Sequence, residues 1–334
     1  MTRAVLQGLA APDAAVEREI ASRLNDVEAA LEKAVRSDSD FVTEAASYLV
    51  NAGGKRFRPM LVLLSGYLGD PTDPRLVQGS VAVEVIHLAT LYHDDVIDEA
   101  EFRRGLPSVN SRWDNTVAIL TGDFLFAKAS EIASDLGTDV TKLLARTIAI
   151  LCDGQIRETE AAGRPETTVD AYMEIIRRKT AALIAASCRL GGMMSDASSE
   201  VIEALDDFGT ALGMAFQLSD DIMDLTSSEA ELKKIPGQDV KEGVYTLPVL
   251  VALHDPRRGA ELRELLAGGP PDGERLARAL EMVRSDGALG LARAEVSRHV
   301  RRAKDLAGGF ADGPAREAFL HLADFLAARC GALA

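Results

Sequence analysis

Residues 84–98 read Glu-Val-Ile-His-Leu-Ala-Thr-Leu-Tyr-His-Asp-Asp-Val-Ile-Asp, and residues 215–225 read Ala-Phe-Gln-Leu-Ser-Asp-Asp-Ile-Met-Asp-Leu. Each is an apolar helical stretch ending in an acid cluster of one spacing, Asp94-Asp95-Val96-Ile97-Asp98 and Asp220-Asp221-Ile222-Met223-Asp224. On a helix the first and last acids of each cluster share a face, roughly 6 Å apart along the axis at about 1.5 Å per residue. Like charges at that separation destabilise a bare helix. A solvated acidic face is the ordinary reading of such a run, but acids embedded among apolar residues are costly to desolvate unless they are neutralised. Divalent cations bound by hard oxygen ligands, Mg²⁺ above all, resolve that cost.

The two helices carry more than acids. His87, Leu91, Asp94 and Asp98 form one stripe at 3.6 residues per turn, and Gln217, Asp220, Asp221 and Asp224 form another. Glu84-x-x-His87 also matches half of a di-iron bundle motif, which needs a second Glu-x-x-His. None occurs in the chain.

Outward from these helices the pattern stays helical. Hydrophobic residues make up 47% of the 334 and aromatics only 5%, a mix that favours helix over strand. Helical stretches are predicted at 14–35, up to about Val50, then at 60–69, 75–99, 109–135, 139–161, 169–192 and 199–226, with helical hairpins over 244–334. Pro12-Asp13 marks the first start, Gly53-Gly54 a stop and Pro59 a new first turn. No strand-period segment and no internal repeat stands out, and the polar segment Ser227 to Gly243 breaks the periodicity. The length admits one large domain or two.

A net charge of −15, from 37 basic and 52 acidic residues, repels nucleic acid and anionic lipid. Cys152, Cys188 and Cys330 are widely spaced and odd in number, which fits a reducing compartment. The first twelve residues do not resemble a signal peptide, and no run of 18 apolar residues could span a bilayer. The expected location is cytoplasmic.

Basic residues gather in three places: Gly53-Gly54-Lys55-Arg56-Phe57-Arg58-Pro59, Arg103-Arg104-Gly105-x-Pro107, and Lys179-Thr180. Glycines before a basic turn let backbone N–H groups and cations converge on a phosphate, and arginine offers bidentate forks to its oxygens. Each set is weak alone. Their order, with acid clusters between them, is specific.

In these combined motifs, from about Val50 to Pro248, the chain resembles the trans-type polyprenyl diphosphate synthases of the all-α isoprenoid synthase family. The resemblance implies an all-α fold, a single synthase domain over 1–334 and a large helical bundle in which the clusters face across a central cavity. It implies a prenyltransferase that condenses isopentenyl diphosphate with an allylic diphosphate primer by Mg²⁺-dependent ionisation. Asp94, Asp98 and Asp220 are then the direct Mg²⁺ ligands, with three ions held when substrate is bound, and Asp95, Asp221 and Asp224 support them. Lys55, Arg58, His87 and Arg104 correspond to the isopentenyl diphosphate site. Arg103, Lys179, Thr180, Gln217 and Lys234 correspond to the allylic site. The resemblance also implies a homodimer, and the 227–240 loop with Lys233 and Lys234 is the candidate lid.

Two positions depart from the family pattern: Val244 stands where many members carry a loop lysine, and Asn110 where many carry a histidine. Product length is expected to depend on the positions beneath the first cluster, since one helical turn of about 5.4 Å approximates one prenyl unit. Ala89 and Thr90 are small there. Small residues predict an open tunnel and a product longer than C15, of about six to nine prenyl units (C30–C45), at that rise per turn; ordinary close helix packing also favours small residues. Geranylgeranyl and farnesyl diphosphate synthases are the neighbouring readings. A class I terpene cyclase or a head-to-head coupling enzyme does not need Gly53-Gly54-Lys55-x-x-Arg58. A non-catalytic subunit of a hetero-oligomeric synthase would be expected to have lost acids, and none is lost here.

Overall fold

The computed structural model describes residues 14–226, 237–267, 269, 271–285 and 287–332, and these fall into two compact units. Each unit is assembled from segments far apart in sequence. Among the described residues the first draws on 14–148, 183–206 and 309–321, and the second on 149–182, 207–226, the described part of 237–308, and 322–332.

In the first unit, α1 (Ala14–Ala34) is followed by α2 (Asp40–Asn51), α3 (Phe57–Gly66) and α4 (Arg75–Ile97). Val16, Ile20, Leu24, Val27 and Leu31 recur every three or four residues along α1 and are all buried, the stripe expected of an amphipathic helix. Helix α4 is different: Val81 to Ile86 are buried around the helix, and Leu88, Ala89, Tyr92 and Asp95 continue the buried side beyond them. It is the central helix of this unit, with α1, α3 and α6 (Asn115–Leu136) packed on it. Gly122 of α6 allows the closest approach, because a Cβ there would stand 2.3 Å from Nε2 of His93.

Two predicted elements differ in the structure. The stretch 109–135 is broken into α5 (Val109–Arg112) and α6, because Asp114 adopts extended backbone and its carboxylate accepts from the Val117 N–H at 2.8 Å, a side-chain N-cap. The basic loop at 103–107 is a short hairpin of β1 (Phe102–Arg103) and β2 (Leu106–Pro107), paired Phe102 to Pro107 and Arg103 to Leu106. Its two-residue turn, Arg104-Gly105, has positive φ at both positions, 54° and 78°, matching the twist of the strands.

In the second unit lie the C-terminal half of α7 (Thr138–Ala161), α8 (Val169–Ile176) and most of α10 (Ser199–Thr226). Between α8 and α9 (Ala182–Met194) stands a π-helical turn, Arg177–Ala181, inside what the apolar periodicity presents as a single helix. Gly154 of α7 faces it; a Cβ there would lie 2.6 Å from the Lys179 backbone nitrogen. Helices α11 (Gln238–Lys241), α12 (Leu247–Leu253), α13 (Gly259–Leu266), α14 (Gly273–Ser285) and α15 (Ala288–Ala307) complete the unit, with α8, α13, α14 and α15 packed on α12. Helix α16 (Pro314–Arg329) ends the described chain. No helix among the described residues is long and apolar enough to cross a membrane.

Candidate active site

In the first unit the face of α4 that is not sealed runs through His87, Thr90, Leu91 and Asp94, all half-buried, and ends at the exposed Asp98. It is the stripe expected from the sequence. Asp98 caps the helix, its N–H donating to Asp94 O at 2.8 Å. Asp95, between them, points inward and is fully buried. Arg103 Nε of the hairpin donates to its Oδ1 at 2.6 Å. Burial raises the Asp95 carboxyl above its ordinary range, and Arg103 opposes that shift. Asp95 therefore acts on Arg103, holding the hairpin against the cluster.

The basic loop converges on the same helix. Gly53 ends α2 with φ 79°, the left-handed stop that glycine permits, and its N–H donates to Val50 O. Arg104 NH1 donates to Leu49 O at 2.9 Å and also to Gly53 O. The bare Gly54 lets two guanidiniums close on the loop: a Cβ there would lie 2.9 Å from NH1 of Arg56 and 3.1 Å from NH1 of Arg104. Lys55 is exposed beside them. Burial lowers the pKa of Arg58, with Glu84 opposing and Arg104 reinforcing the shift. Arg58 Nε is buried with no hydrogen-bond partner, a donor poised for an anion. His87 is held well below its usual pKa, by burial first and then by Arg58, Arg104, Arg103 and Arg56. It is neutral at pH 7, in a field built for negative charge.

Arg56 carries a role that sequence reasoning missed. It is 3% exposed, adopts left-handed backbone at φ 51°, and bonds Glu28 at 2.6 and 2.9 Å and Glu84 at 2.8 Å. The buried Glu84 is thus a counter-ion of the loop, which disposes of the di-iron reading. Arg56 stands inside the basic motif, but nothing local distinguishes a cradle arginine from a framework arginine. Ala89 is fully buried, so the accessible space beneath the cluster begins at Thr90, whose Oγ1 donates back to His87 O at 2.8 Å. Asn110 Nδ2 donates to Ala100 O at 3.2 Å and helps close the hairpin's base.

In the second unit the π turn presents Lys179 and Thr180. Lys179 pairs with Glu158 of α7. Thr180 Oγ1 donates to Gln217 Oε1 at 2.7 Å, Gln217 Nε2 donates to Asp221 Oδ1 at 2.9 Å, and the Tyr172 hydroxyl donates to Asp221 Oδ2. Both oxygens of Asp221 are therefore engaged by protein donors, and Asp221 orients Gln217. Tyr172 lies 49 residues away, and no sequence signal points to it. Asp220 and Asp224 are half-buried on the other side of the cluster. Asp220 Oδ1 accepts from Arg329 NH2 at 2.8 Å, and the Asp224 carbonyl accepts from the Gly237 N–H. Val244 lines an apolar crevice with Ala161, Tyr172, Ile175 and Tyr245, so it adds packing where a lysine would add charge. Lys233, Lys234 and most of the 227–240 loop lie outside the described residues.

No group of three or more His, Cys, Asp or Glu gathers to hold a metal among the described residues. Two carboxylates per cluster that are not fully buried, Asp94 with Asp98 and Asp220 with Asp224, suit Mg²⁺ better than a cage would, since that ion keeps waters and substrate phosphate oxygens as its other ligands.

Burial lifts the Asp221 carboxyl to about 7, against the lowering effect of the Tyr172 and Gln217 hydrogen bonds. A carboxyl raised in the folded state contributes stability that is present in full below its unfolded pKa and is lost as pH rises through the folded value. Metal-free wild type should therefore lose stability relative to Asp221→Asn between about pH 4 and 7, by up to about 1.4 kcal/mol per pH unit. Thermal melts across that window check the sign; a flat difference in melting temperature contradicts it.

The family model for polyprenyl synthetase matches residues 39–283. The chain belongs to the polyprenyl synthetase family. It is 39% identical to the nonaprenyl diphosphate synthase of Mycobacterium tuberculosis, over 98% of both chains. It is also 39% identical to heptaprenyl diphosphate synthase component 2 of Geobacillus stearothermophilus, over 91% of this chain and 94% of that one. A geranylgeranyl pyrophosphate synthase from Corynebacterium glutamicum, solved with calcium and isoprenyl diphosphate, superposes with a TM-score of 0.85 at 42% identity, covering 96% of this chain and 99% of that one. The all-α isoprenoid synthase fold and a prenyltransferase that elongates prenyl diphosphates follow from these matches. Relatives of similar identity make products of different length, so overall identity does not set chain length in this synthase.

Proposed function

We propose that the synthase adds isopentenyl diphosphate repeatedly to an allylic primer and releases a product longer than C15. The observation that carries this reading is the gathering of basic groups on the Gly53–Pro59 loop and the hairpin, where Arg104 packs on Gly54 and Arg58 Nε is buried with no hydrogen-bond partner: it supports an anion site separate from the acid clusters, and a second diphosphate is what elongation requires. Asp94, Asp98 and Asp220 are the proposed direct Mg²⁺ ligands, Asp224 supports them, and three ions bind with substrate. Bound magnesium would neutralise the allylic diphosphate and make it a leaving group. Lys179, Thr180 and Gln217, with Lys234 from the undescribed loop, hold that diphosphate while its carbon–oxygen bond breaks. Lys55, Arg58, the neutral His87 and Arg104 hold isopentenyl diphosphate so that its double bond attacks the allylic cation. The new carbon–carbon bond leaves a cation that loses a proton to the released pyrophosphate. Asp95 and Asp221 position Arg103 and Gln217 and touch neither substrate.

The growing chain is proposed to pass Thr90, the accessible small residue below Asp94. With farnesyl diphosphate, radiolabelled isopentenyl diphosphate and Mg²⁺, the purified chain is expected to make several additions, and Thr90→Phe to stop after one or two. Arrest of the wild type after one addition, or an unchanged product in the variant, would sink the tunnel reading. A second reading comes from the relative named as a component of a heptaprenyl synthase. Incorporation that appears only on adding another protein would favour it.

The synthase domain is read as the whole of 1–334, since the family match runs through segments of both units. Homodimerisation is proposed through α6, which leaves Ile119 and Leu120 exposed at 43% and 61%. Cytoplasmic location is the matching proposal, supported by the lack of a membrane-spanning helix among the described residues.

A further inference from the structure

Arg329 closes α16 with its side chain only 18% exposed, and its NH2 donates to Asp220 Oδ1 at 2.8 Å. The same guanidinium stands 5.5 Å over the ring of Phe216, one helical turn before Asp220 on α10. Its place is fixed by the chain around it. Arg293 Nε donates to the carbonyl of Cys330 at 2.9 Å, and Lys304 Nζ bonds Asp324 Oδ1 at 2.7 Å. A held cation thus rests on the leading carboxylate of the second cluster, within the second unit.

We infer that Arg329 is a resident counter-ion of Asp220, which magnesium must displace, so that the cluster loads readily only when a diphosphate arrives with the metal. The inference rests on the proposed reading of Asp220 as a metal ligand. Magnesium binds oxygen at about 2.0–2.1 Å in near-octahedral geometry, and a guanidinium hydrogen-bonded to that oxygen stands in its way. Two cations side by side also repel. A diphosphate reverses this, because its negative charge offsets the metal and offers the freed guanidinium a new bidentate partner. Metal and diphosphate therefore favour each other's binding through Arg329, a coupling that must be reciprocal.

The test is calorimetric titration of Mg²⁺ into the full chain carrying Asp94→Asn and Asp98→Asn, with and without inorganic pyrophosphate, so that the first cluster keeps only the buried carboxylate of Asp95. Arg329→Gln and Arg329→Met, the second keeping an apolar stem over Phe216, are expected to bind Mg²⁺ alone about two- to fivefold more tightly, the range for a partly exposed pair. Pyrophosphate should enhance Mg²⁺ binding less in both, while Arg329→Lys, which keeps the charge, should follow the parent. Circular dichroism melts identify which variants are folded. Unchanged or weaker Mg²⁺ affinity in the folded variants, or an undiminished pyrophosphate effect, overturns the inference. Mg²⁺ binding that also survives Asp220→Asn in this background would instead overturn the metal assignment beneath it.

Discussion

Asp94→Asn is expected to lower turnover by about a hundred- to a thousandfold, the scale of losing one preorganised electrostatic partner of a developing anion. Asp94 lies on the accessible face of α4 with Asp98 one turn beyond it. Asparagine keeps the shape and one oxygen but removes the charge that draws a divalent ion to the pair. The loss should be relieved in part by raising Mg²⁺, because the ion's remaining ligands are water and substrate oxygens. Asp95→Asn makes the informative contrast. That side chain is buried against Arg103, so its change should raise KM for the allylic substrate and leave the Mg²⁺ dependence close to wild type. Steady-state rates across a Mg²⁺ series read both. If Asp94→Asn stays within tenfold of wild type at every Mg²⁺ concentration, the first cluster is not the metal site proposed.

Arg56→Ala is expected to cost about 3 kcal/mol of stability, the lower end for breaking a buried ion pair. The lower end applies because Glu28 is 41% exposed and can rehydrate, whereas Glu84, at 3%, cannot. The functional loss should exceed what instability explains. Glu84 also acts electrostatically on Arg58 and Arg104. Without Arg56 it claims those arginines as counter-ions and draws them off the incoming anion. KM for isopentenyl diphosphate should then rise at least about tenfold, the equivalent of 1.4 kcal/mol, with KM for the allylic substrate little changed. Replacing the pair together, as Arg56→Met with Glu84→Leu, should restore much of the stability, since apolar residues of similar volume often replace a buried ion pair without loss. Urea denaturation beside two-substrate kinetics separates the effects. Equal rises in both KM values would mean a general loosening instead.

Much of this was legible in the sequence because it is local. The stripes His87, Leu91, Asp94, Asp98 and Gln217, Asp220, Asp221, Asp224 depend only on helical period, which both helices keep, though Asp221 is buried while the other three of its stripe are half-buried. The stop at Gly53 is likewise set by neighbours in the chain. What stayed hidden depends on partners brought together by folding: Arg56 with Glu28 and Glu84, Tyr172 with Asp221, and Arg329 with Asp220, the last 109 residues apart. The π turn was hidden for another reason. An apolar pattern over 169–192 does not register one wide turn, and Gly154, which makes room for it, lies in a different helix. The hairpin was missed because two-residue strands are too short to show alternation.

The two arginines of left-handed backbone, Arg56 and Arg104, have a consequence for anyone wishing to make the synthase more heat-resistant. A non-glycine residue in that conformation carries about 1–3 kcal/mol of strain, so glycine or asparagine at Arg104 is an obvious choice for raising the melting temperature, whereas at Arg56 the lost pairs with Glu28 and Glu84 would offset the relief. Both choices would remove a guanidinium that shapes the pocket around Gly54. Here robustness and affinity for the diphosphate draw on the same two backbone positions, and thermal engineering is better directed to the outer faces of α1 and α15.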